Sequence, residues 1–289
     1  MNLSGRKALI TGANQGLGFE IARQFVAQGA DVMLCARNQT LLDEAVGSLQ
    51  TRTNSSQHVL GQVADISKMA DVETLIDQTL SHLGGCDILV NNAGVYGPKG
   101  DIAEADWAEW VKAIEINLLG SVMMARALVP HFKTQGHGKI IQLSGGGATN
   151  PLPGISAYAV SKAAIVRFAE TLAEELRPYH IDVNAVAPGA LNTRMLDEVL
   201  AAGPEKVGHV FYERSQEQKQ NGGVPLSLAA KLIVFLASRA SDGITGKLIS
   251  AQWDRWQDWP GHLEALNRSD VYTLRRITGR DRGLDWGDV

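Results

Sequence analysis

Lys7-Ala8-Leu9-Ile10-Thr11-Gly12-Ala13-Asn14-Gln15-Gly16-Leu17-Gly18 is the stretch on which the fold turns. A short apolar run leads straight into a glycine-rich turn, and Phe19-Glu20-Ile21-Ala22-Arg23-Gln24-Phe25-Val26 then repeats its apolar side chains with helical period. The reading is strand, turn, helix. Glycines in such a turn let the backbone come close to a pyrophosphate, whose charge is stabilised by the free N–H groups and the dipole at the helix N-terminus. Taken alone, the GxxxGxG spacing is a weak signal, and the alternative is a tight turn with no ligand.

Working outward, apolar strand-like runs at residues 7–10, 31–35, 58–63, 87–91, 139–143, 181–186 and 247–250 alternate with helical segments. That alternation predicts an α/β protein, a single-domain Rossmann-like doubly wound parallel sheet with helices on both faces. A chain of 289 residues, 45% hydrophobic and 20% charged, can bury the core such a domain needs. The net charge of −4, without a basic block, speaks against a nucleic-acid partner. Gly5-Arg6-Lys7 leads directly into the first strand with no signal-peptide core, and no long uninterrupted apolar run appears, so no membrane partner and a cytoplasmic location are expected. Cys35 and Cys86 stand at predicted strand edges in neither disulfide nor metal spacing and read as small buried residues. No His/Cys/carboxylate cluster predicts a metal site.

Chemistry enters at Tyr158 and Lys162. On a helix their spacing puts both side chains on one face, so an ammonium can sit beside a phenol. A free phenol has a pKa of roughly 10, and a cation within about 4–6 Å lowers it. The pair reads as a tuned acid/base, although the same spacing also arises in ordinary half-exposed helices.

Joined in order, the glycine turn, Asn91-Asn92-Ala93-Gly94, Asn117, Tyr158 with Lys162, and Pro188-Gly189-Ala190-Leu191-Asn192-Thr193 resemble the short-chain dehydrogenases/reductases (SDRs), over roughly residues 5–250. The resemblance implies an oxidoreductase that interconverts a secondary alcohol and a carbonyl by hydride transfer with a nicotinamide cofactor. It implies that Tyr158 passes the proton, and that Lys162 binds the nicotinamide ribose and lowers the phenol pKa. Asn117 would hold, through a distorted helix backbone, a water linked to that lysine; without the resemblance it is a helix polar residue with a local bond. Cofactor contacts are implied at Gly12, Asn14, Gln15, Gly16, Leu17 and Gly18, at the backbone of Asn92, Ala93 and Gly94, and at Pro188, Gly189 and Thr193. A small-molecule alcohol or carbonyl substrate and a homo-oligomer, dimer or tetramer, complete the expectation. The competing reading is a nucleotide-binding sensor or scaffold that kept the fold and lost efficient chemistry.

Cofactor choice is read just after the second strand, at Ala36 and Arg37. An NAD-preferring site usually has an acidic residue there for the ribose 2′-OH, whereas a planar guanidinium suits a 2′-phosphate. NADP(H) is therefore the preferred expectation and NAD(H) the possible one. Gln15 stands where many NADP-preferring relatives carry a second basic residue, and Arg37 is alternatively a solvated charge at a strand end. Asp65-Ile66 resembles the family's adenine contact; alternatively Asp65, with Ser67, caps the following helix.

The departure from the family lies at the serine that polarises the substrate oxygen. Counted back from Tyr158, that position is Gly145, and its neighbour is Ser144. A shift of one residue on a strand turns the side chain to the other face, yet Gly145-Gly146-Gly147 permits unusual backbone, so Ser144 is taken as the candidate. Ser156, a hydroxyl on the substrate itself, or a chain with little catalysis are the alternatives. Domain organisation follows: residues 1–250 form the catalytic domain, with a variable, mixed amphipathic substrate lid at about 194–223. Residues 251–289 form an extension holding Trp253, Trp256, Trp259 and Trp286, expected on the core, at a subunit contact or over the substrate mouth.

Overall fold

The computed structural model describes residues 1–54 and 56–286. Seven strands, β1 (Lys7–Thr11), β2 (Asp31–Ala36), β3 (Val59–Val63), β4 (Ile88–Asn91), β5 (Gly138–Leu143), β6 (Ile181–Ala187) and β7 (Leu248–Ser250), pair in parallel in the order β3-β2-β1-β4-β5-β6-β7. Their ends fall within one residue of the apolar runs in the sequence. Parallel strands covered on both faces are apolar almost throughout, and Ala8, Leu9 and Ile10 of β1 are all fully buried.

Eleven α-helices are described: α1 (Gly16–Ala27), α2 (Gln39–Gln50), α3 (Met69–Leu83), α4 (Trp107–Ile114), α5 (Ser121–Gln135), α6 (Ser156–Leu176), α7 (Arg194–Ala202), α8 (Pro204–Val207), α9 (His209–Asn221), α10 (Leu226–Ala237) and α11 (Leu263–Arg268). Ile21 and Phe25 of α1 and Ile233 of α10 pack with Ile10, Leu34 and Val90 on one face of the sheet. Leu75 of α3, Leu128 and Phe132 of α5 and Val166 of α6 pack with Leu9, Met33 and Leu89 on the other. The continuous stretch Trp107–Gln135 has the length and apolarity of a membrane span, and here its Met124, Leu128 and Phe132 are core residues.

Strand order reverses between β1 and β4, which opens a crevice at their C-terminal ends, the place where doubly wound sheets take ligands. Residues 194–223, where a lid is expected, fold mostly as α7, α8 and α9. Beyond β7 the chain returns to the body: Trp256 packs on Phe235 with ring centroids 5.2 Å apart, and Trp256 and Trp259 join the core. Farther along, Leu248 N donates to Tyr272 O at 2.8 Å, and Glu170 of α6 accepts from Leu274 N at 2.6 Å. The extension thus covers the β7 edge, which would otherwise offer unpaired backbone groups. Trp253 and Trp286 are exposed, and residues 287–289 of the extension lie outside the described residues.

Candidate active site

The C-terminal ends of the strands line one cavity of about 680 Å³. Its wall brings together Gly12, the turn from Asn14 to Gly18, Arg37, Asp65, Ile66, Asn92, Ala93, Gly94, Ser144, Tyr158, Lys162, Pro188 and Thr193. Gly189 and Asn117 do not line it. Gly189 has φ +94°, and a Cβ there would stand 2.9 Å from Val224, so it shapes the loop behind the wall.

Gly12 and Gly16 occupy the left-handed region, at φ +63° and +57°, where side chains are strained. A Cβ on Gly18 would lie 2.2 Å from Gly12 O, so the start of α1 approaches the turn only because that residue is glycine. Asn92 Nδ2 donates to Thr11 O and Gly12 O, both at 3.0 Å, while Thr11 Oγ1 accepts from Asn92 N at 3.0 Å and Ala93 N at 3.1 Å. These bonds fix the turn to the end of β4. No side chain caps α1 at Gln15, leaving the first-turn N–H groups open to an anion. A glycine cradle, an uncapped helix start and a guanidinium on the same wall fit a dinucleotide.

Arg37 follows β2 directly. Asp65 Oδ1 accepts from Ser67 N at 3.0 Å and Ser67 Oγ at 2.6 Å. Burial pulls that carboxyl upward, but the Ser67 bonds, with the charges of Lys112 and Arg37, hold it below the ordinary carboxylate range. Asp65 therefore shapes the turn into α3 while also facing the cavity.

Tyr158 and Lys162 sit at the start of α6. Lys162 Nζ lies 5.6 Å from the centre of the Tyr158 ring and donates to Leu143 O at 2.7 Å. Burial pushes the lysine down to about 8. Burial, aided by Tyr96, pushes the Tyr158 phenol above its ordinary value. In the free chain burial thus sets a direction opposite to the lowering expected from the spacing.

Asn117 lies in a π-helical turn, Glu115–Gly120, between α4 and α5. Its Oδ1 accepts from Val95 N at 2.8 Å, and its Nδ2 donates to Val95 O at 2.8 Å and Ser161 Oγ at 2.9 Å. Ser161 Oγ in turn donates to Tyr158 O at 2.7 Å. The side chain ties the loop after β4 to α6, and Ser121 Oγ reaches the Asn117 carbonyl at 3.1 Å.

Ser144, the expected oxygen donor, lines the same cavity wall as Tyr158. Ser144 N donates to Val186 O at 2.8 Å, the last ladder bond of β5, which ends at Leu143. The Ser144 hydroxyl is buried and donates to Lys162 O at 3.4 Å. Gly145 is the residue that faces the phenol: a Cβ there would stand 2.3 Å from Tyr158 Oη. Ser156, the lesser candidate, accepts from Trp110 Nε1 at 3.1 Å. Sequence reading missed Tyr96, whose ring centroid lies 4.7 Å from that of Tyr158. Its only signal was its place two residues beyond the Asn-Asn-Ala-Gly motif.

The family profile for the short chain dehydrogenases matches residues 6–203. The chain belongs to that family. Dehydrogenase/reductase SDR family member 4 of Homo sapiens is 35% identical over 250 residues, 86% of each chain. NAD+-bound xylitol dehydrogenase superposes with a TM-score of 0.78 at 25% identity, covering 86% of this chain and 98% of that one. The 3-ketoacyl-(acyl-carrier-protein) reductase from Brucella melitensis, complexed with NADH, gives 0.75 at 30% identity over 86% and 97%. Family membership makes the chain an oxidoreductase with a nucleotide cofactor, and the parallel sheet its Rossmann-like scaffold.

Proposed function

We propose that this short-chain dehydrogenase interconverts a secondary alcohol and a carbonyl with NADP(H), using Tyr158 as acid/base and Lys162 as its charged neighbour. The observation that carries the reading is the pairing of Tyr158 with Lys162 in the wall of a cavity whose glycine turn and open helix start suit a dinucleotide. When bound, the nicotinamide cofactor supplies the hydride. The chain's own part is binding, positioning and the proton. Open N–H groups at the start of α1 hold a pyrophosphate, and the Tyr158 phenol gives its proton to the substrate oxygen. Lys162, desolvated on Leu143 O, stabilises the phenolate left behind. Asn117 keeps the loop after β4 and α6 at the spacing the reaction needs.

The preference for NADP(H) over NAD(H) rests on Ala36 and Arg37, where no carboxylate stands to repel a 2′-phosphate. The proposal includes a homo-oligomer, supported by exposed Trp107 at the start of α4 and exposed Ile102 shortly before it, and a cytoplasmic setting, with which two unpaired buried cysteines agree. Gly145 is the observation favouring the second reading, a cofactor-binding protein with weak chemistry.

A panel of ketones and alcohols followed by NADPH absorbance, with wild type and Tyr158→Phe side by side, tests the proposal. Turnover by wild type that falls at least about a hundredfold in Tyr158→Phe, with cofactor binding retained, is expected. Equal turnover by the two proteins refutes the assignment. No turnover of any substrate by wild type leaves the binding-protein reading.

A further inference from the structure

We propose that Lys99 is a specificity residue that anchors a carboxylate on the substrate, and that Glu198 of the lid occupies this anchor until the substrate displaces it. The inference rests on the reading of Tyr158 as the group at the substrate oxygen. From Tyr158 two short contacts lead outward: its ring is 4.7 Å from the Tyr96 ring, and Lys99 Nζ lies 5.6 Å above the Tyr96 ring. Lys99 belongs to the loop after β4, where Gly100 N donates to Gly154 O at 2.9 Å. A Cβ on Gly154 would stand 2.6 Å from Lys206 O of α8. The loop, the segment before α6 and the lid therefore meet around this ammonium.

The charge is desolvated and loosely met. The Lys99 side chain is 15% exposed, with Glu198 Oε2 at 3.6 Å and Gly97 O at 3.5 Å. Both lie at or beyond the outer limit of a hydrogen bond, where a lysine ammonium has three donors to place. Glu198 can leave, because its other oxygen is already 3.5 Å from Arg194 Nε, one helical turn away on α7. Its presence shows that a carboxylate fits against Lys99. Asp101, Glu104, Asp106 and Glu109 in the neighbouring segment are exposed, where water and salt weaken their repulsion of an incoming anion. A neutral ligand cannot take the place of Glu198, whereas an anionic one can give the ammonium the close contact it lacks.

The test uses the full chain saturated with NADPH and a series of oxo carboxylic acids of increasing length with their matched primary amides. Binding is followed by calorimetry and turnover by absorbance. In wild type the acids bind more tightly than the amides. Lys99→Met lowers the acid-to-amide affinity ratio by about tenfold or more, the effect of a hydrogen bond to a charged group. Glu198→Gln raises the same ratio, since the competing carboxylate is gone. An ion pair that merely fastens the lid moves both variants in the same direction, and that result, or equal binding of acids and amides by wild type, overturns the proposal. Opposite movements of the ratio in calorimetry without any turnover would leave the anchor standing and remove the oxidoreductase reading instead.

Discussion

Gly145→Ala and Gly145→Ser together isolate what this chain does without a side chain opposite its phenol. Gly145 has φ −178° and ψ 178°, extended backbone open to any residue, so both variants read contact and not backbone strain. A Cβ at that position stands 2.3 Å from Tyr158 Oη and 3.2 Å from Cζ, the first about 1.1 Å short of the 3.4 Å at which ordinary contact begins. Tyr158 has to yield by roughly that amount. Tyr96, packed at 4.7 Å between ring centroids, limits its retreat. A displacement of about 1 Å at a reacting group can cost about a hundredfold in rate, so Gly145→Ala is expected to lower kcat by that order while NADPH affinity holds and stability falls by about 1–3 kcal/mol, the usual cost of overpacking. Gly145→Ser carries the same Cβ plus a hydroxyl. A donor to the developing oxyanion typically contributes about 10²–10³ in rate, so the serine variant should exceed the alanine variant by at least tenfold without passing wild type. The assay is steady-state NADPH oxidation with one ketone for all three proteins. Full activity in Gly145→Ala would show that the phenol is not confined and would refute the reasoning. Activity in Gly145→Ser above wild type would show that the tyrosine retreats freely and that a donor is all the site lacked.

Arg37→Ala should weaken NADPH binding by about tenfold or more and leave NADH nearly unchanged, as fluorescence titration would show; equal losses for both cofactors would contradict the choice of NADP(H). Ser144→Ala should leave kcat within about threefold, because a hydroxyl turned to Lys162 O at 3.4 Å offers little to a transition state; a hundredfold loss would restore Ser144 as the oxygen donor. Lys162 has a pKa lowered by burial from 10.5 to about 8, so between those values the unfolded chain binds the extra proton. The contribution of Lys162 to the unfolding free energy should therefore rise with pH across that window by an amount on the order of 3 kcal/mol, against the opposite contribution of Cys35, Cys86, Tyr96 and Tyr158, which burial holds protonated to higher pH than in the unfolded chain. Lys162→Met should lack that rise in urea titrations, and an identical pH slope in the two proteins would show that the lysine is not buried as described.

Much of this was legible because the fold is written in local patterns. The runs at 7–10 and 31–35 are long enough, apolar enough and bounded by clear enough turn residues to be strands, and their alternation with helices leaves few topologies. Tyr158 and Lys162 were legible because helix geometry alone puts them on one face. What the sequence could not display is what depends on distance between elements. Tyr96 reaches Tyr158 only because β4 and β5 are neighbours and α6 follows β5, and Lys99 meets Glu198 only because the lid folds back across the loop after β4. The pKa of Tyr158 belongs to the same class. Spacing predicts a neighbouring cation, but burial, which sets the direction in the free chain, is a property of the assembled core.

The serine shows where a local rule held against a local exception. A one-residue shift on a strand reverses the side chain, and three successive glycines argued that the strand had already ended at Ser144. The side-chain contacts decide between them: although β5 ends at Leu143, the Ser144 hydroxyl reaches Lys162 O at 3.4 Å, while Gly145 stands against Tyr158 Oη. Glycine permits a turn without requiring one. Ser144 is therefore directed to the α6 backbone, and the phenol of Tyr158 lies against the bare face of Gly145. The site's chemistry then depends on whether that contact leaves room for a substrate oxygen, which is the quantity the two Gly145 variants measure.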